Sequence, residues 1–286
     1  MKYKFMYENR NKYPIEKMAI IFGVSRSGYY DYLKHPVSKR EIDNLKIIFE
    51  IKEIHRKSRF NYGSPRIYKA LRKKGIECGK NRVVRLMKLN NIRSKTRKKF
   101  KATTNSKHNN PVYENILDRK FVVTEINKAW VSDITYIWTL EGWLYLCVII
   151  DLYSRKIIGW SMSERIDTGF VIKAFLMAWT QRRPKGELIF HSDRGVQYTS
   201  NDFQNILKNK NILCSMSRKG NCWDNACAES FFHTLKVEEV HHIVYKTREM
   251  AKIKIFEFIE GYYNNFRTHS YLGYMNPNEF ENKKSA

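Results

Sequence analysis

Hydrophobic positions divide the chain into a first part with the period of a helix and a second part with the period of a strand. Over residues 1–92, apolar residues recur every three or four positions, and Gly23, Ser25, Ser64 and Pro65 supply turn and capping residues between them. Further along, the segments AWVSDITYIWTL, GWLYLCVIID and KIIGWSMS alternate apolar and polar residues. The pattern predicts a group of helices followed by a sheet.

The helical part divides into two segments, 1–38 and 39–92. In the first, two short helical patterns meet at Gly23, which is typical of a small helix-turn-helix and equally of an ordinary helical hairpin. The second predicts three helices in a helix-turn-helix-like DNA-binding domain, and the last of these surrounds an apolar pair with basic residues. That helix either enters a DNA groove or presents a solvated basic face. Its predicted DNA contacts are Arg82, Arg85 and Lys88.

A basic linker is predicted over residues 93–120. Between positions 93 and 107 there are seven Lys or Arg residues and no acid, with Thr, Asn and Ser among them. Such a composition is typical of a linker, and its charge favours contact with phosphates. Arg97, Lys98 and Lys99 are the predicted DNA contacts of this segment.

The rest of the chain predicts an α/β domain over 121–245 and a C-terminal helix and tail over 246–286 that packs on it. The three alternating segments are followed by a helix, a short buried strand ending at Asp193, a helix starting at Ser200, another strand and a last helix. This order predicts a mixed sheet with helices on its faces. One apolar face is predicted for the C-terminal helix, made of Met250, Ile253, Phe256, Ile259 and Tyr263.

Charge changes the picture from any α/β protein to one that binds polyanions. The 286 residues include 53 Lys or Arg and 28 Asp or Glu, for a formal charge of +25. The extent and spread of this excess favour nucleic acid over a lipid surface, and a merely soluble basic enzyme is the alternative.

Cysteine usage and hydropathy indicate a cytoplasmic protein, located on the nucleoid when bound to DNA. The five cysteines are scattered without a Cys-x-x-Cys pair, which is typical of reduced thiols. The apolar run at 144–150 is too short to span a bilayer, so no membrane association is expected. Cys222 and Cys227 precede three histidines, but their spacing matches no zinc pattern.

Three acidic residues are candidates for phosphodiester chemistry. Asp133 lies inside a predicted strand, Asp193 ends another, and Glu229 follows on a helix 36 positions later. Taken singly, each has an ordinary explanation: Asp133 as a polar residue at a strand edge, Asp193 as a turn former and Glu229 as a solvated helix residue. Together they are the acids from different elements that hard divalent ions require beside a phosphate.

The helix that carries Glu229 supports this interpretation. At about 100° per residue, Asn225, Glu229 and Lys236 share one line beside an apolar stripe. A carboxylate and a lysine can therefore face one groove. Asp224 is interpreted as the N-cap of this helix, and Asp151 as a structural turn residue.

Five motifs in order resemble one known family. WVSDITYI, IIDLYSRKIIGW, HSDRGVQYTS, GNCWDNACAESFFHTLKVE and YYNNFRTHSYLGYMNP are similar to the catalytic core of bacterial insertion-sequence transposases related to retroviral integrases. The subgroup is the one encoded in two overlapping reading frames, and this chain resembles the downstream product. The resemblance covers residues 15–282, with 35 residues between Asp193 and Glu229.

The resemblance implies a fold and a mechanism. The fold is a ribonuclease-H-like integrase core, a mixed five-stranded sheet with flanking helices, preceded by a small all-α helix-turn-helix region. The implied catalytic and metal-binding triad is Asp133, Asp193 and Glu229, with two Mg²⁺ or Mn²⁺ ions. Such a site cuts one strand to expose a 3′-OH and transfers that hydroxyl to a second phosphodiester.

The resemblance also implies partners. These are the terminal repeats of the element and target DNA, a second copy of the chain on DNA, and an upstream-frame protein as fusion or partner. The contacts predicted for DNA in this part of the chain are Lys236, Arg194, Asn225, Arg267 and His269, the last two being packing candidates as well. The zinc-binding His-His-Cys-Cys module of retroviral integrases is not found in the sequence. A non-catalytic DNA-binding regulator and a metal-dependent nuclease of the same fold are the alternatives.

Overall fold

The protein divides into two compact units, Met1–Arg93 and Ser94–Ala286. The structure, a computed structural model, describes residues 1–34, 38–95, 112–218 and 222–284. The predicted linker contacts Arg97, Lys98 and Lys99 lie outside the described residues.

The first unit is helical, as the apolar spacing predicts. Its helices are α1 Lys2–Glu8, α2 Ile15–Phe22, α3 Arg26–Lys34, α4 Lys39–Lys57, α5 Ser64–Lys73 and α6 Lys80–Leu89. Gly23 takes a left-handed conformation (φ 60°) between α2 and α3, and the Ser25 hydroxyl accepts the Gly28 N–H at 3.0 Å, so the turn and its cap lie at the predicted positions.

Capping residues mark the starts of α4 and α5 in the second half of this unit. Ser38 and Glu41 form a capping box at the start of α4, with Glu41 N–H donating to the Ser38 hydroxyl. Pro65 lies in the first turn of α5, where its missing N–H costs nothing, and Gly63 rather than Ser64 is the N-cap.

The second unit contains a mixed five-stranded sheet, as predicted. Its strands are β1 Ala129–Thr139, β2 Gly142–Asp151, β3 Ile157–Ser163, β4 Ile189–Ser192 and β5 Leu213–Met216, in the spatial order β3-β2-β1-β4-β5. The first three strands are antiparallel, whereas β4 and β5 run parallel to β1.

Helices cover both faces of this sheet. They are α7 Thr168–Arg182, α8 Val196–Thr199, α9 Asn201–Asn209, α10 Ala226–Glu238, α11 Arg248–Phe256 and α12 Pro277–Lys284, with a π-helix at Glu257–Tyr263. One core lies under α7 and α9 and the other under α10, α11 and the π-helix. β3 passes so close to α7 that a Cβ at Gly159 would lie 2.4 Å from the Ala174 carbonyl oxygen, which only glycine tolerates.

The predicted apolar face of the C-terminal helix is wrong in part. Ile253 and Phe256 are 50% and 48% exposed, while Ala251 and Ile255 are buried in their place. The helix widens into the π-helix directly after α11, so a single 3.6-residue period does not describe the whole segment. Residues on both sides of that junction pack against the sheet.

The last helix, α12, is held by ion pairs and by Phe280, whose ring centroid lies 5.2 Å from that of Tyr153. Glu281 accepts hydrogen bonds from Ser154 and Arg182 and lies 3.4 Å from the Lys156 amine. Arg182 also lies 3.7 Å from Asp151, which is fully buried. Along the described ranges, no helix has the length and apolar character needed to cross a bilayer.

Candidate active site

Two of the three candidate carboxylates lie side by side because of strand register. β4 is parallel to β1, with Val131 opposite His191. Asp133 lies two residues after Val131, and Asp193 lies two residues after His191. Neighbouring strands are about 4.8 Å apart. Asp193 directly follows the last residue of β4 and its carboxylate accepts the Gly195 N–H at 2.9 Å. The turn that ends the strand therefore fixes this carboxylate next to Asp133.

Glu229 reaches the same place from α10. This helix packs Ala228, Phe231 and Leu235 into the core, which leaves Glu229 on an exposed flank. At the start of the helix, the Asn225 amide donates from Nδ2 to the Ser132 carbonyl oxygen at 3.2 Å. The helix that carries Glu229 is thus fastened to the residue before Asp133.

Ser132 also connects to the segment behind Asp193. Its hydroxyl is 2.8 Å from the hydroxyl of Tyr198, which lies in α8, a few residues after the Asp193 turn. Both side chains are fully buried, and the Cys147 sulfur is 3.6 Å from the Ser132 hydroxyl. One residue of β1 therefore contacts both the start of the helix that carries Glu229 and the segment that follows Asp193.

The three carboxylates interact electrostatically. Burial, then repulsion by Asp193 and by Glu229, raises the pKa of Asp133 well above its usual range, and the Lys236 amine opposes that shift. Partial desolvation raises the pKa of Glu229 as well. Proximity of like charges in partly desolvated surroundings is characteristic of functional carboxylates.

The donor set fits a hard divalent cation. Carboxylate oxygens are the ligands that Mg²⁺ and Mn²⁺ prefer, and a bound cation would relieve the repulsion that raises the pKa of Asp133. In the part of the chain that the structure describes, no three His, Cys, Asp or Glu side chains are grouped closely enough to hold one ion together. The charges of the carboxylates therefore interact, although the side chains do not surround one common point.

Lys236 lies two turns after Glu229 on α10, as the helical spacing predicts. Its side chain is 5% exposed, and its amine is 4.9 Å from the centre of the Tyr136 ring. Burial lowers the pKa of Lys236 to about 8, and the charge of Asp133 opposes the shift. A lysine amine thus lies within the electric field of the carboxylates.

Other residues predicted to contact DNA make internal contacts. Arg267 is buried and donates to both carboxylate oxygens of Glu238, with its shortest contact at 2.8 Å. Asn225 is buried at the Ser132 carbonyl, and Arg194 donates to the Ser217 carbonyl oxygen at 2.7 Å. These contacts favour positioning roles.

The remaining predicted contacts differ in exposure. The His269 ring lies against Tyr263, with centroids 4.9 Å apart. In the first unit, Arg82 donates to the Asn44 side chain at 2.9 Å, whereas Arg85 and Lys88 are exposed on α6.

Asp224 is not the N-cap of α10, contrary to the interpretation of the sequence. It lies in a 3₁₀ turn at Cys222–Asn225 and is fully buried, and its carboxylate accepts hydrogen bonds from Arg218 and Arg119. The hydrogen-bonded Arg218 holds the pKa of Asp224 well below its usual range. The residue braces the turn before α10, and Arg218, six positions earlier, was the available signal in the sequence.

Asp151 is structural, as interpreted. Its carboxylate accepts the N–H groups of Asn127 and Tyr153 at 2.9 and 3.0 Å. Burial raises its pKa to about 6 despite these bonds and the nearby Arg182. The carboxylate therefore ties together the segment before β1, the turn after β2 and α7.

His191 makes the stability of this unit depend on pH. The imidazole is fully buried, 2.9 Å from the Ser215 hydroxyl and 3.1 Å from that of Ser217, and burial lowers its pKa to about 4. The unfolded chain takes up this proton near pH 6.5, so the stability that His191 provides is complete above pH 6.5 and is lost as pH falls toward 4. Between pH 7 and 4.5 we expect wild type to lose roughly 2 to 3 kcal/mol more unfolding free energy than His191→Gln.

Urea unfolding in EDTA at the two pH values measures this difference. Replacing the exposed His233 by glutamine is the control, and it should follow wild type. Equal pH dependence of wild type and His191→Gln would show that the buried imidazole does not govern acid stability.

The fold and the paired carboxylates define the class of protein, an integrase-type catalytic core preceded by a helix-turn-helix-like domain. The integrase core domain matches residues 123–222 and 229–284, and the HTH-like domain matches residues 41–100. The chain is 40% identical over its full length to the transposase InsF for insertion sequence IS3A of Escherichia coli K12, which it also covers fully. It is 44% identical to an uncharacterized 31 kDa protein of insertion element IS600 of Shigella sonnei, over 93% of this chain and 98% of that one.

The chain belongs to the family of insertion-sequence transposases with an integrase core. It is a DNA transposase, and its catalytic core is that of a polynucleotidyl transferase.

Solved structures that resemble this chain include viral integrases. One is the simian T-cell lymphotropic virus intasome in complex with PP2A regulatory subunit B56 gamma, at 15% identity and a TM-score of 0.45 over 74% of this chain and 69% of that one. Another is the HTLV-2 integrase catalytic core domain in complex with magnesium, at 16% identity and a TM-score of 0.39 over 54% and 94%.

Proposed function

We propose that this transposase binds the ends of its insertion element, cleaves one DNA strand with divalent metal ions, and transfers the exposed 3′-OH to target DNA. The catalytic and metal-binding residues are Asp133, Asp193 and Glu229. The observation that supports this best is the register of β1 and β4, which brings the two aspartates together, while α10 adds the glutamate beside them.

Two Mg²⁺ or Mn²⁺ ions are the proposed cofactors, held by these three carboxylates. When bound, such ions neutralise charge on the phosphate and activate the attacking oxygen. Asp133 and Asp193, at the ends of neighbouring strands, and Glu229 on α10 would supply the carboxylate oxygens for these ions.

The chain's own residues keep the carboxylates in place. Ser132 holds α10 through Asn225 and the Asp193 segment through Tyr198, and all three side chains are buried away from solvent. Serine nucleophiles are not part of the proposal, because phosphoryl transfer needs positioning and charge neutralisation more than a covalent intermediate. Ser132 is a positioning residue.

DNA is the proposed partner of both units. The formal charge of +25 supports polyanion binding, and the exposed Arg85 and Lys88 lie on the last helix of the HTH-like match. A second copy of the chain on DNA and an upstream-frame protein, fused or separate, complete the proposed assembly.

Lys236 is proposed to contact the terminal DNA of the element. Its amine is close enough to Asp133 for their charges to interact, and we place a phosphate bound at the carboxylates near this amine. We expect Lys236→Ala to weaken binding to the element's own ends about tenfold and binding to unrelated DNA less, since a charge-assisted contact is worth about 1.5 kcal/mol.

A binding assay titrated with salt checks this expectation, with Lys236→Arg as the variant that keeps the charge. Equal weakening on both DNAs would reduce Lys236 to a generic phosphate contact.

A strand-transfer assay tests the proposed function. Labelled oligonucleotides with the ends of the element are incubated with wild type or Asp193→Asn, in Mg²⁺ or EDTA. Joined products that need both the metal and Asp193 support the proposal. Cleavage without joining favours the nuclease, and DNA binding with neither reaction, even after adding the upstream-frame protein, favours the regulator.

A further inference from the structure

Four aromatic side chains lie together on one face of the β1–β2 hairpin. Tyr136 is directly opposite Tyr145, and Trp138 is directly opposite Trp143. The Trp143 ring centroid lies 5.0 Å from that of Tyr136 and 4.8 Å from that of Trp138, both edge to face. We call these four residues the aromatic face.

The two tryptophans of the aromatic face do not belong to the core. Trp138 is 56% exposed and Trp143 is 42% exposed, whereas their sequence neighbours Ile137 and Leu144 point to the other side of the sheet and are buried. Cross-strand aromatic pairs stabilise a hairpin, and this explains the contacts between the rings. It does not explain why two of the largest apolar side chains are left in water.

Lys236 connects the aromatic face to the candidate active site. The Lys236 amine, which interacts with Asp133, lies over the Tyr136 ring. Tyr136 is three residues and Trp138 five residues from Asp133 along β1, which is about 10 and 17 Å of strand. By strand alternation Tyr136 and Trp138 lie on the side of the sheet opposite Asp133, and Lys236 connects the two sides at the edge of β1 beyond its pairing with β4.

The charges around the aromatic face do not repel a polyanion strongly. Glu164 is paired with Arg248 at 3.2 Å, and the guanidinium of Arg248 also donates to the Trp143 carbonyl oxygen at 3.2 Å. The carboxylate of Glu141, in the turn of the hairpin, accepts the Arg248 N–H at 2.7 Å. With Lys236 at one end and Arg248 at the other, the rings lie between two cations. Aromatic rings interleaved with cations are the usual means of binding single-stranded nucleic acid.

We propose that the aromatic face binds unpaired bases of the DNA next to the phosphodiester that is cleaved, by stacking them on Trp138 and Trp143. This inference rests on the proposed function for the position of the DNA. Paired bases within a duplex expose only their edges, so ring stacking requires bases that have left the helix. The aromatic face is thus specific for DNA that is opened at the cleavage position.

Binding measured in EDTA tests this proposal separately from catalysis. Two end oligonucleotides are compared by fluorescence anisotropy, one fully paired and one with a short unpaired segment at the cleavage position. Trp138→Leu keeps an apolar side chain but removes the aromatic ring, and Trp138→Phe keeps a ring.

We expect Trp138→Leu to bind the unpaired DNA roughly five- to 100-fold more weakly and to bind the paired DNA as wild type does. Trp138→Phe should remain close to wild type on both. Phe256→Leu is the matched control, because Phe256 is an exposed aromatic residue on α11, which packs on the opposite face of the sheet.

Two results would overturn the proposal. One is equal binding of the unpaired DNA by Trp138→Leu and wild type. The other is a change in the sedimentation of Trp138→Leu without DNA, which would make the aromatic face a contact between two copies of the chain. Trp143→Leu gives the same test if the first variant unfolds, and cleavage by wild type decides the proposed function independently.

Discussion

Glu229→Gln is expected to lose strand cleavage and joining by at least roughly a thousandfold while it keeps its fold and binds DNA. A neutral amide is a poor ligand for Mg²⁺, and several kcal/mol of charge stabilisation depend on such ligands. The side chain lies on the exposed flank of α10, and its pKa is raised, so the folded protein already disfavours its charge. Removing that charge should therefore not destabilise the core. Cleavage of labelled end DNA, measured beside the thermal unfolding midpoint, checks both parts.

The matched control is Glu249→Gln on α11, where the carboxylate is exposed and pairs only weakly with Lys252. It should cleave like wild type. Near-wild-type cleavage by Glu229→Gln would refute the triad, whereas loss of both folding and cleavage would leave the test to Asp193→Asn.

Arg267→Met is expected to destabilise the core by about 3 to 5 kcal/mol. The guanidinium is buried against Glu238, and Tyr262 donates a further hydrogen bond to the same carboxylate at 3.1 Å. Removing the cation leaves a buried carboxylate without its counter-charge, which is the costly way to break a buried ion pair. Urea unfolding of the DNA-free protein measures the loss.

The control is Lys252→Met, which breaks an exposed pair with Glu249 and should cost less than about 1 kcal/mol. In the double variant Glu238→Gln with Arg267→Met, part of the stability should return because no buried charge is left. If Arg267→Met is as stable as wild type and binds DNA more weakly, Arg267 contacts DNA, which was one of the two roles predicted from the sequence.

The order of strands and helices follows from the sequence because each element carries its own local signal. The alternation in β1 and β2 and the cap at Ser200 require no knowledge of distant residues. The helical segment from α11 into the π-helix shows where such signals fail. Its buried face depends on the π-helix at Glu257–Tyr263, which the apolar spacing does not predict.

The sequence predicts the carboxylates of the candidate site but not the residues that hold them in position. Asp133 lies inside a strand pattern and Asp193 directly follows one, whereas the parallel register that brings them together is a property of the folded sheet. The contacts of Ser132 with Tyr198 and Asn225 join residues 66 and 93 positions apart, and only the tertiary structure brings them together. The aromatic face had a signal, since aromatic residues alternate on both strands of one hairpin, but exposure is a property of the folded chain.

The contacts of Ser132 have a consequence for the order of protein synthesis. Asp133 is translated long before Asn225, and until α10 docks on the Ser132 carbonyl the glutamate has no fixed place beside the aspartates. A nascent chain that has folded its first strands therefore holds separate acids and no assembled cutting site. On the proposed function, cleavage of DNA therefore waits until the core is nearly complete.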